Sequence, residues 1–236
     1  DENRRGKAPK GFMDLLDVGD LVYLSVENEQ VKLDQIPQAQ SSLISFNPKT
    51  GEVLSYVGGS VFNNSQFDRV RQSYPQSGSV FKPFIYASAF NGGYNPSSLI
   101  NDAPIIFEDE NLETFWRPEN YSGKFYGLTT LREALVQSIN IVSIKLLREI
   151  GVKKSSETVD NFGFGLDRLP QDLSLALGSG NFSPAEVARG FSVFANDGMI
   201  SDIHYVSHIK DKNGDIIFDH SEIDVVNVSS ISAFPW

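Results

Sequence analysis

The chain has 236 residues, of which 40% are hydrophobic and 21% charged, with a formal net charge of -10 and no cysteine. That composition belongs to a globular chain able to bury a full core, and its negative balance leaves no basic stripe for a nucleic-acid backbone. The missing cysteines exclude disulfides, thiolate catalysis and Cys-rich zinc sites, and no apolar run approaches the ~20 residues that cross a bilayer.

The opening, "DENRRGKAPKG", is locally basic and reads as a frayed terminus or linker. It carries no signal peptide, so a membrane anchor of a longer parent protein is expected outside this chain. "GDLVYLSVENEQVKL" reads as one strand pattern, and "DQIPQAQ" as a connector. Residues 1–33 are therefore expected to be the end of one small domain, and 34–236 the bulk of another. "SSLISFNPKTGEVLSYVGG" predicts two strands around a turn punctuated by Pro48 and Gly51, at the edge or centre of an antiparallel sheet.

Helices are expected from Ser79 onward. The first runs from Val80 to Phe90 and stops at Asn91–Gly93. "TTLREALVQ" opens with Thr130 and Glu133 at capping-box spacing. "IVSIKLLREIG" places Ile141, Ile144, Leu147 and Ile150 on one face and stops at Gly151. "SPAEVARGFSVFANDG" has a cap at Ser183, a proline at 184 and a glutamate at 186. "HYVSHIKDKNGDIIFDH" then alternates around Asn213–Gly214, a two-residue hairpin signal. Strands, a helical block and strands again predict an α+β fold, and no internal repeat interrupts that order.

The chemistry concentrates in "QSGSVFKPFIYASAF", where Ser79 precedes Lys82 by three residues and Pro83 follows. Residues three apart share a helix face, so the ammonium stands beside the hydroxyl. Pro83 lacks an N–H and is tolerated only near a helix start. Small residues, Ser77 and Gly78, leave room for a substrate to approach the backbone. The lysine is either a solvated surface charge or a base whose pKa burial lowers far enough to take the serine proton. The helix start adds free N–H groups for a developing oxyanion.

A second element, Ser138-Ile139-Asn140, falls between two predicted helices, where a loop can aim a hydroxyl and a carboxamide into a cleft or can be purely structural. The bare patterns recur elsewhere. Ser207 and Lys210 repeat the first in a strand-like stretch, and Ser45-Phe46-Asn47 and Ser179-Gly180-Asn181 repeat the second. Lys49-Thr50-Gly51 precedes the serine and reads as a turn with glycine at a positive-φ position. His204 and His208 alternate along a strand pattern with no carboxylate cluster nearby, so no metal is expected, and no G-K-[ST] ending marks a phosphate loop. The aromatics of "FWRPENYSGKFYG" line a cleft or pack a core.

A serine–lysine pair at a helix start, followed by serine-x-asparagine in an interhelical loop, resembles the active-site set of penicillin-binding proteins and serine β-lactamases. The longer stretches "INDAPI", "WRPENYSGKFYGLTTLREALVQSINIVSIKLLREIG" and "SLALGSGNFSPAEVARGFSVFANDG" are similar to the transpeptidase domain of class A penicillin-binding proteins, across about Gln35 to Lys210. Residues 1–33 resemble the end of the small OB-like domain that precedes it in the 1A branch.

The resemblance implies a penicillin-binding, β-lactamase-like α+β fold and a D,D-transpeptidase that cross-links peptidoglycan stem peptides. By position it implies Ser79 as acylated nucleophile, Lys82 as its base, Ser138 as proton relay to the leaving amine, and Asn140 as holder of the substrate amide. It implies β-lactams bound covalently at Ser79, no cofactor, and an extracytoplasmic site on a membrane-anchored parent. The family's lysine-threonine-glycine strand follows the serine-x-asparagine loop, so it is expected past Trp236, in a C-terminal remainder of the same domain. Two other readings are a serine β-lactamase-like hydrolase, disfavoured by the absence of a deacylating glutamate motif, and a non-catalytic cell-wall scaffold with vestigial serine and lysine.

Overall fold

Chain reversals at asparagine and glycine set the architecture seen in the computed structural model, which describes residues 9–35, 39–108, 115–220 and 226–227. Contacts divide the chain into two compact units, Asp1–Gln40 and Ser41–Trp236. Most of the basic opening, and residues 36–38 of the expected connector, lie outside the described residues.

In the first unit, strands β1 (Tyr23–Glu27) and β2 (Gln30–Asp34) form an antiparallel hairpin that pairs Val26 with Val31. One strand was expected there, and the structure has two. Asn28 and Glu29 both adopt positive φ, at 49° and 65°, which is the geometry of a two-residue hairpin turn. The apolar positions change parity across the turn, from Leu24 and Val26 to Val31 and Leu33, and that shift of phase is the sequence mark of the reversal.

In the second unit β3 (Leu43–Phe46) pairs with β4 (Val53–Val57) around the "NPKTG" turn. Gly51 has φ +76°, and a Cβ there would lie 1.9 Å from the Asp202 carbonyl oxygen, so conformation and space both demand glycine. A 3₁₀ turn at Gly78–Phe81 leads into α1 (Lys82–Asn91). Then come β5 (Leu99–Asp102), β6 (Phe107–Glu108), β7 (Phe115–Trp116) and β8 (Gly127–Thr130). Helices α2 (Leu131–Val136), α3 (Asn140–Ile150), α4 (Val152–Asp160) and α5 (Pro184–Ala195) follow. The chain continues through β9 (Met199–Ile200), β10 (His208–Lys210), β11 (Ile216–Asp219) and β12 (Val226–Asn227). Pairs β5–β8, β6–β7, β9–β12 and β10–β11 are antiparallel.

The caps act as their residue types predict. Thr130 accepts from the Glu133 N–H at the start of α2, and Ser183 with Glu186 forms the full reciprocal box on α5. Helix α4 has no counterpart in the predicted elements. Its inward face is Ser155 and Ser156 with Val159, and Ser155 Oγ meets Ser88 Oγ of α1 at 2.7 Å, so a hydroxyl contact replaces the apolar stripe. The β10–β11 reversal is longer than two residues, because Asp211 Oδ1 accepts from the N–H groups of Asn213 and Asp215 and widens it.

Helix α1 is the axis of the core. Phe84, Ile85, Tyr86, Ala87 and Ala89 are fully buried, so the helix is covered all round. On one side Phe84 meets Phe162, Phe164, Phe191 and Phe194 with ring centroids 4.8–5.6 Å apart. On the other, Tyr86 and Ala89 pack with Ile139, Val142 and Leu146. Truncating a buried phenylalanine of this kind costs about 3–5 kcal/mol. The N-terminus of α1 is thereby fixed from two sides, and Lys82 sits at that end.

Candidate active site

The turn that carries Ser79 is bolted to a distant loop. Ser77 N–H donates to the Gly180 carbonyl at 3.0 Å and Gly78 N–H to the Gly178 carbonyl at 2.9 Å. The Ser77 hydroxyl lies 3.2 Å from the Gly178 carbonyl oxygen and 3.1 Å from that of Gly180. Phe81, two residues past the serine, stacks on Phe182 with rings 5.6 Å apart and 7° from parallel. Ser79 itself is exposed, and its carbonyl accepts the Lys82 N–H. Pro83 falls in the first turn of α1, where a missing N–H leaves no bond unmade.

Lys82 is 1% exposed, which is rare for a lysine and demands partners. Its Nζ donates to the Ser138 carbonyl at 2.6 Å, to Ser138 Oγ at 3.0 Å and to Asn140 Oδ1 at 2.7 Å. Burial disfavours the ammonium and lowers its pKa to about 8. No carboxylate is ion-paired with it among the described residues. Three candidates, Lys82, Ser138 and Asn140, thus meet within hydrogen-bonding distance. Ser79 stands three residues before Lys82 along a 3₁₀ turn, where such residues eclipse, and its hydroxyl makes no hydrogen bond to the ammonium.

The loop between α2 and α3 is shaped for this contact. Ser138 has φ +53°, an unusual conformation for a non-glycine residue, which turns it outward while Ile139 is 4% exposed and anchored in the core. Ser143 Oγ donates to the Ile139 carbonyl at 2.8 Å and receives the Tyr86 hydroxyl at 3.2 Å. Burial pushes the Tyr86 phenol up to about 12, so it stays a neutral donor. Asn140 Nδ2 donates to the Glu119 carbonyl at 2.9 Å.

Sequence reasoning missed several supports. Ser77 and the Gly178–Gly180 loop were visible only as small residues. Asp102 and Asn120 lay unremarked inside "INDAPI" and "WRPENYSG". A carboxylate ending a strand whose Ile100 faces inward is the signal for the first, and nothing local marks the second.

The repeated patterns fall elsewhere. Lys49-Thr50-Gly51 is a turn whose Lys49 carbonyl accepts from Ser201 Oγ at 2.9 Å. Lys210 ends β10, with Ser207 just before that strand, and Ser45 and Phe46 lie in β3. Ser179 and Gly180 belong to the loop under Ser77. His204 bridges to Glu52 and faces the His220 ring with centroids 3.6 Å apart, and His208 begins β10. Among the described residues no group of three or more His, Cys, Asp or Glu is placed to hold a metal, and no helix is long and apolar enough to cross a membrane. Of the "FWRPENYSGKFYG" aromatics, Tyr121, Phe125 and Tyr126 are exposed, and Trp116 packs against the phenylalanine core.

The same arrangement of chain is found in known proteins. The profile of the penicillin-binding protein transpeptidase domain matches residues 42–233. Penicillin-binding protein 1A of Pseudomonas aeruginosa is 41% identical over 217 residues, which are 92% of this chain and 26% of that protein. The Escherichia coli protein of the same name is 36% identical over 218 residues, again 92% of this chain and 26% of its own length. The crystal structure of penicillin-binding protein 1A from Haemophilus influenzae superposes with a TM-score of 0.81 at 33% identity, covering 88% of this chain and 31% of that one. The chain spans about a quarter of the length of the first two relatives. A match over most of the second unit, a shared α+β fold and a lysine buried between a serine turn and a serine-x-asparagine loop place this chain in the penicillin-binding protein transpeptidase family.

Proposed function

We propose that this chain carries the acyl-transfer site of a peptidoglycan D,D-transpeptidase, with Ser79 as nucleophile. The observation that carries the reading is Lys82, a buried amine with a pKa of about 8 held 3.0 Å from Ser138 Oγ and one turn from Ser79. An ammonium uses all three N–H bonds on the Ser138 carbonyl, Ser138 Oγ and Asn140 Oδ1. Once neutral it keeps two donors, enough for the Ser138 carbonyl and Asn140, and has a lone pair to offer a hydroxyl.

In the proposed sequence Ser79 Oγ forms a bond to the carbonyl carbon of the penultimate D-alanine of a stem peptide while its proton passes to Lys82. The C–N bond to the terminal D-alanine then breaks, and that amine takes a proton relayed through Ser138. Asn140, near the Lys82 head group, holds the side-chain amide of the donor. An amine from a neighbouring strand next attacks the acyl carbon, loses its proton to the same relay and releases Ser79. A β-lactam follows the first step, its ring nitrogen taking the proton, and stays bound to Ser79. The site works outside the cytoplasm, where its polymeric substrate lies, on a membrane-anchored parent.

Labelling of the full-length parent protein by a fluorescent penicillin tests this. A stoichiometric adduct on the peptide containing Ser79, lost in Ser79→Ala, is expected. A folded parent that is never acylated overturns the reading, and rapid turnover of the drug converts it to a hydrolase.

A further inference from the structure

Two buried polar side chains lie behind the site without touching Lys82. Asp102, the last residue of β5, is 1% exposed, and Asn120 is 6% exposed. Asn120 Nδ2 lies 2.9 and 3.0 Å from the two Asp102 carboxylate oxygens and 2.9 Å from the Lys124 carbonyl. The Tyr126 N–H donates to the same carboxylate at 2.9 Å. A carboxylate is costly to bury, and a well-packed apolar pair of similar volume often does as well or better for stability. Core stability alone is therefore a poor reason for this pair.

Its other end points to a reason. Asn120 Oδ1 accepts the Ile141 N–H at 3.1 Å, in the first turn of α3, where backbone donors have no partner within the helix. The preceding residue, Glu119, offers its carbonyl to Asn140 Nδ2 at 2.9 Å. Residues 119 and 120 thus grip residues 140 and 141 twice, once through a side chain and once through backbone. With its NH₂ committed to Glu119, the Asn140 carboxamide must turn its oxygen to Lys82 Nζ, 2.7 Å away. The opposite rotation would set an NH₂ group against the ammonium.

We propose that Asp102 and Asn120 are positioning residues of the acyl-transfer site. Asp102 fixes Asn120, and residues 119–120 fix the start of α3 so that the Asn140 carbonyl oxygen stays on the Lys82 ammonium. This rests on the roles given to Lys82 and Asn140 above.

The test is the rate constant for acylation of the full-length parent by a fluorescent penicillin, followed across the pH range in which Lys82 titrates. Asn120→Ala should lower the plateau rate about 10–100-fold, the scale of misplacing a reacting group. It should also move the acid limb to lower pH, because Lys82 loses an acceptor that favours its charged form. Asp102→Asn keeps the shape of the side chain but sets amide hydrogens against amide hydrogens, and should act in the same direction by about 3–10-fold.

Wild-type rate and limb in both single variants overturn the positioning role, as does a slower rate with an unmoved limb, which is the mark of a merely structural contact. If Asn120→Ala does not fold, Asp102→Asn decides alone. A wild-type parent that labels normally beside unaffected variants removes only this inference, whereas one that never labels removes the reading beneath it.

Discussion

Gly78 and Gly178 meet backbone to backbone: the amide of the first donates to the carbonyl of the second at 2.9 Å, and a Cβ on Gly178 would fall 1.9 Å from the Gly78 carbonyl oxygen. Gly178 is also left-handed, at φ 71°. Gly178→Ala should therefore destabilise by at least about 2 kcal/mol and slow acylation at Ser79 at least about tenfold, since the serine turn has to move. Gly93→Ala is the control. Gly93 has φ +98° with open space around it, so its substitution should cost only the conformational strain, about 1 kcal/mol, and leave the acylation rate alone. Urea denaturation and penicillin labelling of the two variants check this.

The lowered pKa of Lys82 makes stability depend on pH in a defined direction. The group falls from 10.5 unfolded to about 8 folded, so between those values the unfolded chain binds more protons. Stability then rises with pH across that window, and below it the folded state carries the cost of a buried charge. In the difference between wild type and Lys82→Met the other titrations cancel. Wild type should gain on the variant by about 3 kcal/mol in all as pH rises through the window, at about 1.4 kcal/mol per pKa unit. A flat difference would show that Lys82 titrates normally. The variant should acylate at least about a thousandfold more slowly, as loss of the proposed general base implies.

Ser138 combines a hydroxyl that meets Lys82 with a backbone conformation that suits glycine, at φ +53°. Ser138→Gly and Ser138→Ala both remove the oxygen 3.0 Å from Lys82 Nζ, and both should slow acylation by a similar factor, about 10–100-fold. Their stabilities should separate, with the glycine variant more stable by about 1 kcal/mol, because only alanine keeps the Cβ that opposes left-handed geometry. Equal melting midpoints would mean that the loop relaxes without strain.

Gly190 sits inside α5, where glycine is usually unfavourable. A Cβ there would lie 2.8 Å from Phe164 Cζ and 3.2 Å from Phe84 Cζ. Gly190→Ala should destabilise by about 1–3 kcal/mol through overpacking, despite the gain in helix propensity. A calorimetric midpoint unchanged or raised would show that the aromatic cluster yields.

What the sequence made legible, and what it hid, follows from the range of the forces. Ser183, Pro184 and Glu186 announce a helix start through bonds that span one turn, and the structure has the full box there. The "NPKTGE" turn was likewise readable from proline and glycine alone. Helix α4 was not, because Ser155 and Ser156 point inward, and Ser155 finds its partner, Ser88, on α1, far away in sequence. The Asn28–Glu29 reversal was marked only by a change of parity, with Leu24 and Val26 before it and Val31 and Leu33 after it. At the site, Ser79 and Lys82 stood out by spacing and helix start, and Ser138 and Asn140 by their place between predicted helices. Asn120 and the Gly178–Gly180 loop reach the site through tertiary contacts that no local pattern marks, and Asp102 is marked only by its place at the end of a strand whose Ile100 faces inward.

The loop beneath the serine turn has one more consequence, for the order in which the protein matures. Lys82 takes its partners 56 and 58 residues downstream, and Ser77 takes its own 101 and 103 residues downstream. Contacts that distant close late, after the loop-closure entropy of everything between has been met. A nascent chain still tethered at Ala176 holds the serine and the lysine but lacks the floor on which they rest. Any acylation at Ser79 should consequently begin only after translation has passed Asn181.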